Sequence, residues 1–204
     1  MRRIGEITPP IPRMQNVLNA MSIDVEDYFQ VSAFNNAIDR SSWDDRSRRV
    51  DGNTRGLLEI LDGAGIKATF FVLGWVAERE PALVKAIAAA GHEIASHGYS
   101  HKLIYTQAKD EFSEETRKSK IILEDLVQSP VTTCRAASYS ITRASLWALD
   151  VLYEAGFRNR IPASFQFVMI VTACLAVPSS RIVWNCPTAA SCWSFPCPRC
   201  APQA

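Results

Sequence analysis

The stretch VLNAMSIDVEDYFQ, Val17 to Gln30, decides how the chain is read. Its first nine residues, VLNAMSIDV, are short and apolar, as expected of a strand buried inside a parallel sheet. Three carboxylates, Asp24, Glu26 and Asp27, then fall within four positions at the strand's C-terminal end. Side chains alternate along a strand, so Asp24 and Glu26 face one way if the strand continues, while Asp27 faces elsewhere or begins the loop. In parallel α/β sheets ligands sit beyond the carboxyl ends of strands, which is where these acids lie. The same acids also suit a solvated strand end followed by a helix N-cap.

Working outward, TRGLLEILDGAGI reads as an amphipathic helix closed by Gly63 and Gly65, and KATFFVLGW as a second strand rich in β-favouring residues. PALVKAIAAAG opens a helix at Pro81 and closes it at Gly91, and HEIAS reads as a third strand. Lys109 to Leu126 is a charged amphipathic helix, PVTTCRAAS an extended piece, and SLWALDVLYEAG a helix ending at Gly156. Strand and helix thus alternate to about residue 158. The fold class is α/β: parallel strands inside a layer of helices, open or barrel-like.

The totals bound the function less tightly. At 204 residues the chain has room for one domain with a real core. Its net charge of +1 gives no footprint for nucleic acid and no polybasic membrane anchor. No run of about 20 charge-free apolar residues is present, and no signal-peptide-like run precedes Asp24, so a soluble, cytoplasmic protein without a membrane span is expected. Residues 1–15, with Pro9, Pro10 and Pro12, read as a disordered leader, and Met14 or Met21 would serve equally as the start.

All three histidines of the chain, His92, His97 and His101, sit in HEIASHGYSH. His97 and His101 are four apart, so one helical turn would put both imidazoles on one face, able to grip a metal ion opposite the carboxylate pair. His92 precedes the third strand and reads as structural. In CRAASYSITRASLW, Arg135 is an obligate cation suited to orient or neutralise a carboxylate, and Tyr139 offers a phenol and an aromatic face for a sugar ring. Trp75, Tyr99 and Trp147 suit either a sugar groove or a core.

These pieces, SIDVEDYF, ATFFVLGWVAE, GHEIASHGYSH and RAASYSI, in this order and at these intervals, resemble the polysaccharide deacetylases of the NodB-like carbohydrate esterase family, within it a bacterial exopolysaccharide-associated branch. The resemblance runs from Leu18 to Arg158. It implies an incomplete (β/α) barrel and a metal-dependent hydrolase that removes N-acetyl groups from an amino-sugar polysaccharide or oligosaccharide. By motif, Asp24 matches the general base, His97 and His101 the metal-binding histidines, and Arg135 the arginine that holds the base. The third metal ligand is an acid just after the base, Glu26 in preference to Asp27. The implied cation is divalent: zinc, with cobalt as the alternative. It would bind water and the acetamide oxygen while Asp24 takes the water's proton. Two departures stand out. The family motif of arginine, any residue, proline is here Arg135-Ala136-Ala137, and no histidine follows His101 to supply the acid that the family places later. A remnant that binds carbohydrate or metal without turnover is the alternative.

The end of the chain breaks the pattern. All 21 acidic residues lie at or before Glu154, and Cys174, Cys186, Cys192, Cys197 and Cys200 crowd the last 31 positions. Cys197-Pro-Arg-Cys200 has the spacing of a zinc turn, but the segment lacks histidine and any helical or strand period. Reading the permitted codons of Phe165 onward from each third base allows P-V-R-H-D-R-Y-G, and from Trp184 onward L-E-L-P-D-G-G-E-L-L-E-F-P-L-S-T-V. The first piece resembles what the family carries after its helix-ending GFR. The expectation is therefore a partial deacetylase domain over residues 16–158 and an out-of-frame tail over 159–204, with loss of the last barrel strands impairing solubility and activity.

Overall fold

Ile23, Asp24 and Val25 are buried together inside a parallel sheet, in a strand that has a neighbour on each side. The computed structural model describes residues 20–160 and the strand Met169–Ile170. The expected leader and nearly all of the expected out-of-frame tail lie outside the described residues. Among the described residues six strands, β1 (Met21–Val25), β2 (Ala68–Val72), β3 (Glu93–Ser96), β4 (Thr133–Cys134), β5 (Asn159–Arg160) and β6 (Met169–Ile170), run in the order β5-β4-β3-β2-β1-β6. All neighbouring pairs are parallel. β5 and β6 form the two edges, so among the described residues the sheet is an open section of the expected barrel.

Among the described residues five helices accompany the sheet: α1 (Val50–Gly63), α2 (Gly74–Arg79), α3 (Pro81–Ala89), α4 (Lys109–Val127) and α5 (Trp147–Glu154). In α1 the buried residues are Val50, Thr54, Leu57 and Leu61, and in α4 Phe112, Thr116, Ser119 and Leu123. Both sets share one spacing, four, three and four residues apart, which keeps them on one stripe of a 3.6-residue helix. Pro81 starts α3, where its missing N–H costs nothing. Trp75, one of the aromatics with two sequence readings, belongs to the core: its ring meets those of Phe29 and Trp43 edge-on, at centroid distances of 5.8 and 5.5 Å. Trp147 packs edge-on against Phe112.

α1 begins at Val50, four residues before the position that the sequence pattern suggested. The reason lies 23 residues upstream. Asp27, fully buried, accepts hydrogen bonds from the backbone N–H groups of Arg49 (2.6 Å) and Val50 (3.0 Å), and its other oxygen accepts from Tyr28 N–H (2.9 Å). The third acid of the opening stretch is thus a capping group that ties the end of β1 to the start of α1. Replacing Asp27 with alanine is expected to lower stability by about 2 kcal/mol, with Asp27→Asn costing less because it keeps an acceptor. Denaturant midpoints of the two variants check this.

The loop after β3 is pinned by its neighbours. Gly74 and Trp75, at the start of α2, donate their N–H groups to the carbonyls of Gly98 (2.8 Å) and Tyr99 (3.1 Å). The contact needs glycine: a Cβ on Gly74 would lie 2.7 Å from Tyr99 Cδ2 and 3.1 Å from Ser119 Cα. Ser119 of α4 donates to Gly98 O at 3.0 Å. This anchoring fixes where His97 and His101 are presented.

Candidate metal and active site

Ser22, Asp24 and Glu26 share one side of β1 and its continuation, although the strand itself ends at Val25. Ser22 and Asp24 share Arg135 as their partner, and Glu26 meets the histidine loop. Arg135, just after β4, donates from Nη1 to Asp24 Oδ1 (2.5 Å) and from Nη2 to Ser22 Oγ (2.8 Å), with its guanidinium 3.9 Å above the Phe71 ring. Its N–H donates to Ser96 O, extending the β3–β4 pairing by one residue. Alanine in place of proline at position 137 therefore leaves Arg135 aimed at Asp24. Both side chains are buried, so this charge pair is screened little by solvent.

Glu26 faces the histidine loop. His101 Nε2 lies 2.9 Å from Glu26 Oε2, yet that oxygen receives no well-directed hydrogen bond. His97 Nε2 is 3.8 Å from Asp24 Oδ2, and the two imidazole centroids are 5.1 Å apart. One ligand atom from each of Glu26, His97 and His101 falls within 4.8 Å of the others, and all three residues are buried. His97 Nδ1 lies 3.0 Å from the carbonyl oxygen of Arg135, which can only accept, so Nδ1 carries the proton and Nε2 keeps its lone pair.

The two histidines converge without the helical turn that their spacing suggested. Residues 97–103 form a loop in which Gly98 (φ 81°) and His101 (φ 54°) adopt left-handed backbone. A helix here would leave the first-turn N–H groups of α2 without the Gly98 and Tyr99 carbonyls. Tertiary anchoring wins over the local option. Arg40 adds to it, donating to the backbone oxygens of Ser100 (3.3 Å) and His101 (3.5 Å), and Ser100 Oγ bonds Glu115 of α4 at 2.7 Å.

Ionisation favours ligation. Burial pushes Glu26 up, but contact with His101 and the nearness of His97 outweigh it and hold the carboxyl below its ordinary value. Burial holds His97 below its ordinary value against the pull of Asp24. A carboxylate and a neutral imidazole are the forms that bind a cation. Two imidazoles and one carboxylate, closely spaced around an under-bonded oxygen, match the donor set of catalytic zinc sites, which keep a further position open.

The remaining sequence candidates fall into place differently. Tyr139 (φ 53°) is half-buried, and its Oη has no hydrogen-bond partner; burial, with Asp24 adding to it, raises the phenol above its ordinary value. Tyr99 is tied to the helix layer: its Oη donates to Glu78 (2.6 Å), and Lys118 Nζ sits 3.8 Å from its ring. His92 is structural, accepting Ala68 N–H at Nδ1 (3.1 Å) with its ring 5.0 Å from Phe70. Ser22 and Arg40 escaped the sequence reading. For Ser22 there was a faint signal, its place two residues before Asp24 on the same face; for Arg40 there was none.

His92 gives the metal-free protein a pH dependence. Burial lowers its folded-state value, so the unfolded chain takes up the proton first as pH falls. Protonating Nδ1 also breaks the Ala68 bond. Stability is expected to drop below pH ~6.5 by up to about 1.4 kcal/mol per pH unit for each such histidine. Denaturant titrations at several pH values check this, and His92→Asn, which keeps an acceptor near Nδ1, should flatten the slope.

The model of the family described as polysaccharide deacetylase matches residues 41–159, more than half of the chain. The chain belongs to the polysaccharide deacetylase family. Of the site, the matched region holds His97, His101, Arg135 and Tyr139. A peptidoglycan-N-acetylglucosamine deacetylase of Bacillus cereus is 41% identical over 73 residues, 36% of this chain and 26% of the relative. A chitooligosaccharide deacetylase of Rhizobium leguminosarum bv. trifolii is 30% identical over 109 residues, 52% of this chain and 47% of the relative. The chain thus spans from about a quarter to about half of these curated relatives. Among solved structures, a Mycobacterium smegmatis protein assigned to the polysaccharide deacetylases superposes with a TM-score of 0.55 at 29% identity, covering 68% of this chain and 48% of that one. A family 4 carbohydrate esterase pseudoenzyme of Bacillus anthracis shares the fold, with a TM-score of 0.53 at 20% identity over 70% of this chain and 43% of that one. No helix among the described residues is long and apolar enough to cross a membrane.

Proposed function

We propose that this deacetylase-family chain carries the metal-binding and base half of a hydrolase that removes N-acetyl groups from an amino-sugar polysaccharide. One observation carries the reading: Glu26, His97 and His101 gather their ligand atoms within 4.8 Å beside an Arg135-braced Asp24. Glu26 Oε2, His97 Nε2 and His101 Nε2 are the atoms that would hold a divalent cation, zinc or alternatively cobalt. Such an ion, when bound, polarises an acetamide carbonyl and lowers the pKa of water.

The chain's own residues supply the rest. Asp24, facing the triad with Oδ2, accepts the proton of the attacking water. Arg135 occupies Oδ1, which leaves Oδ2, the oxygen on the His97 side, free to accept a proton. Arg135 O fixes the His97 tautomer. Tyr139, with a protonated phenol beside Arg135 and Asp24, is the candidate to meet the sugar. The substrate class rests on relatives named for peptidoglycan N-acetylglucosamine and chitooligosaccharides, and the sequence motifs resemble an exopolysaccharide-associated branch of the family.

A second reading, binding without turnover, is favoured by one fact: no histidine follows His101, so no imidazole in this chain beyond the triad and the structural His92 can protonate the departing nitrogen. That fact also fits an out-of-frame segment from Asn159–Ile161 onward, which the gene sequence over codons 155 to 165 would test by one inserted or deleted base. Acetate release from chitin oligosaccharides, measured with added zinc or cobalt beside an Asp24→Asn control, separates the readings. Metal-dependent release lost in the control supports the hydrolase; zinc binding without release supports the second reading.

A further inference from the structure

We propose that one ordered water in a small cavity behind the histidine loop joins His101 to Gln107, making Gln107 the positioning residue that sets the tautomer of His101. The inference rests on the reading of Glu26, His97 and His101 as metal ligands.

The two histidines differ in how their outer nitrogens are served. His97 Nδ1 has the Arg135 carbonyl; His101 Nδ1 is buried and has no hydrogen-bond partner. For His101 to offer the Nε2 lone pair toward Glu26 and a cation, its proton must sit on Nδ1, and a buried N–H without an acceptor is costly. Behind the loop lies a cavity of about 30 Å³, lined among others by His101, Gln107, Arg135, Phe112 and Leu152. That is room for a water, which needs roughly 10–15 Å³ of such space and two to four polar partners.

The lining supplies those partners. Gln107 Nε2 donates to the carbonyls of Lys102 (3.1 Å) and Leu103 (3.4 Å), which fixes which end of the amide is nitrogen. Its Oε1 is then left buried with no donor. Arg135 Nε is a third buried atom without a partner on a residue lining the same space. Two donors and one acceptor match one water: it accepts from His101 Nδ1–H and Arg135 Nε–H and donates to Gln107 Oε1. Phe112 and Leu152 add apolar wall, and of the polar side chains that also line the space Ser96 is bonded to Ser119 and Glu115 to Ser100. Gln107 is held by the backbone of the loop that carries His101, so the link stiffens that loop at its ligand.

Zinc affinity, measured by competition with a chelator, tests the link in the unsubstituted protein and in Gln107→Met, Gln107→Glu and His97→Ala. Gln107→Met keeps the length and removes the acceptor, and it should weaken zinc binding about 10–100-fold. Gln107→Glu keeps an acceptor and should stay within about threefold of the unsubstituted protein. Zinc bound equally well by Gln107→Met overturns the link while leaving the metal site standing. Failure of the unsubstituted protein to bind zinc, or binding indifferent to His97→Ala, overturns the metal reading itself. Independently of the variants, a high-resolution crystal structure should show a water within hydrogen-bonding distance of His101 Nδ1 and Gln107 Oε1; its absence there overturns the proposal.

Discussion

Replacing Arg135 with methionine is expected to destabilise the metal-free protein by about 3–5 kcal/mol, because it strands the Asp24 carboxylate inside the sheet without its cation. Asp24 is 6% exposed and Arg135 3%, so water cannot take over the lost contacts. Methionine fills much of the arginine stem's volume, which keeps packing loss against Phe71 small beside the electrostatic loss. For a chain of this size that cost corresponds to a fall in melting temperature of roughly 6–20 °C. The double variant Asp24→Asn/Arg135→Met should recover most of it, since neither buried charge remains. Thermal melts in the presence of a chelator check both statements. Equal loss in the single and double variants would mean that Arg135 acts through packing and not through Asp24.

The second large effect is chemical. Asp24→Asn keeps the shape of the side chain and an oxygen for Arg135 Nη1, but removes the basic Oδ2 that faces the histidines. Metal-dependent acetate release is expected to fall by about 10²–10⁴-fold, the usual range for a general base. Zinc affinity should change far less, because Asp24 is outside the Glu26, His97 and His101 group. Acetate release within a few-fold of the unsubstituted protein, measured at saturating zinc, would remove Asp24 from the mechanism.

Much of this arrangement can be read from short motifs. The acid-tipped strand, the helix and strand alternation and the clustered histidines all involve residues whose local pattern is strong, and β1, β2, β3 and α4 fall within or close to the segments that the pattern marks, although the strand read over KATFFVLGW stops at Val72 and its Gly74 and Trp75 open α2. Asp24 and Glu26 share a side because the period of two persists past Val25. What escapes local reading is settled by distant partners. α1 starts early because Asp27, far upstream in sequence, reaches its N–H groups. The histidine loop takes left-handed backbone at Gly98 and His101 because α2, α4 and Arg40 claim its carbonyls. Spacing alone allowed a helix there, and only tertiary hydrogen bonding excludes it. Gln107 illustrates the same limit: nothing in HKLIYTQAK marks a glutamine as a partner of His101 until the fold places both on one cavity.

The central claim is that one divalent cation is held by the strand acid and the two loop imidazoles. It is tested most directly by a zinc-edge anomalous difference map from zinc-loaded crystals of the full chain. The account predicts a single strong peak about 2.0–2.2 Å from Glu26 Oε2, His97 Nε2 and His101 Nε2. A peak on Cys197 and Cys200 with none at the triad, or no peak at all, would contradict it.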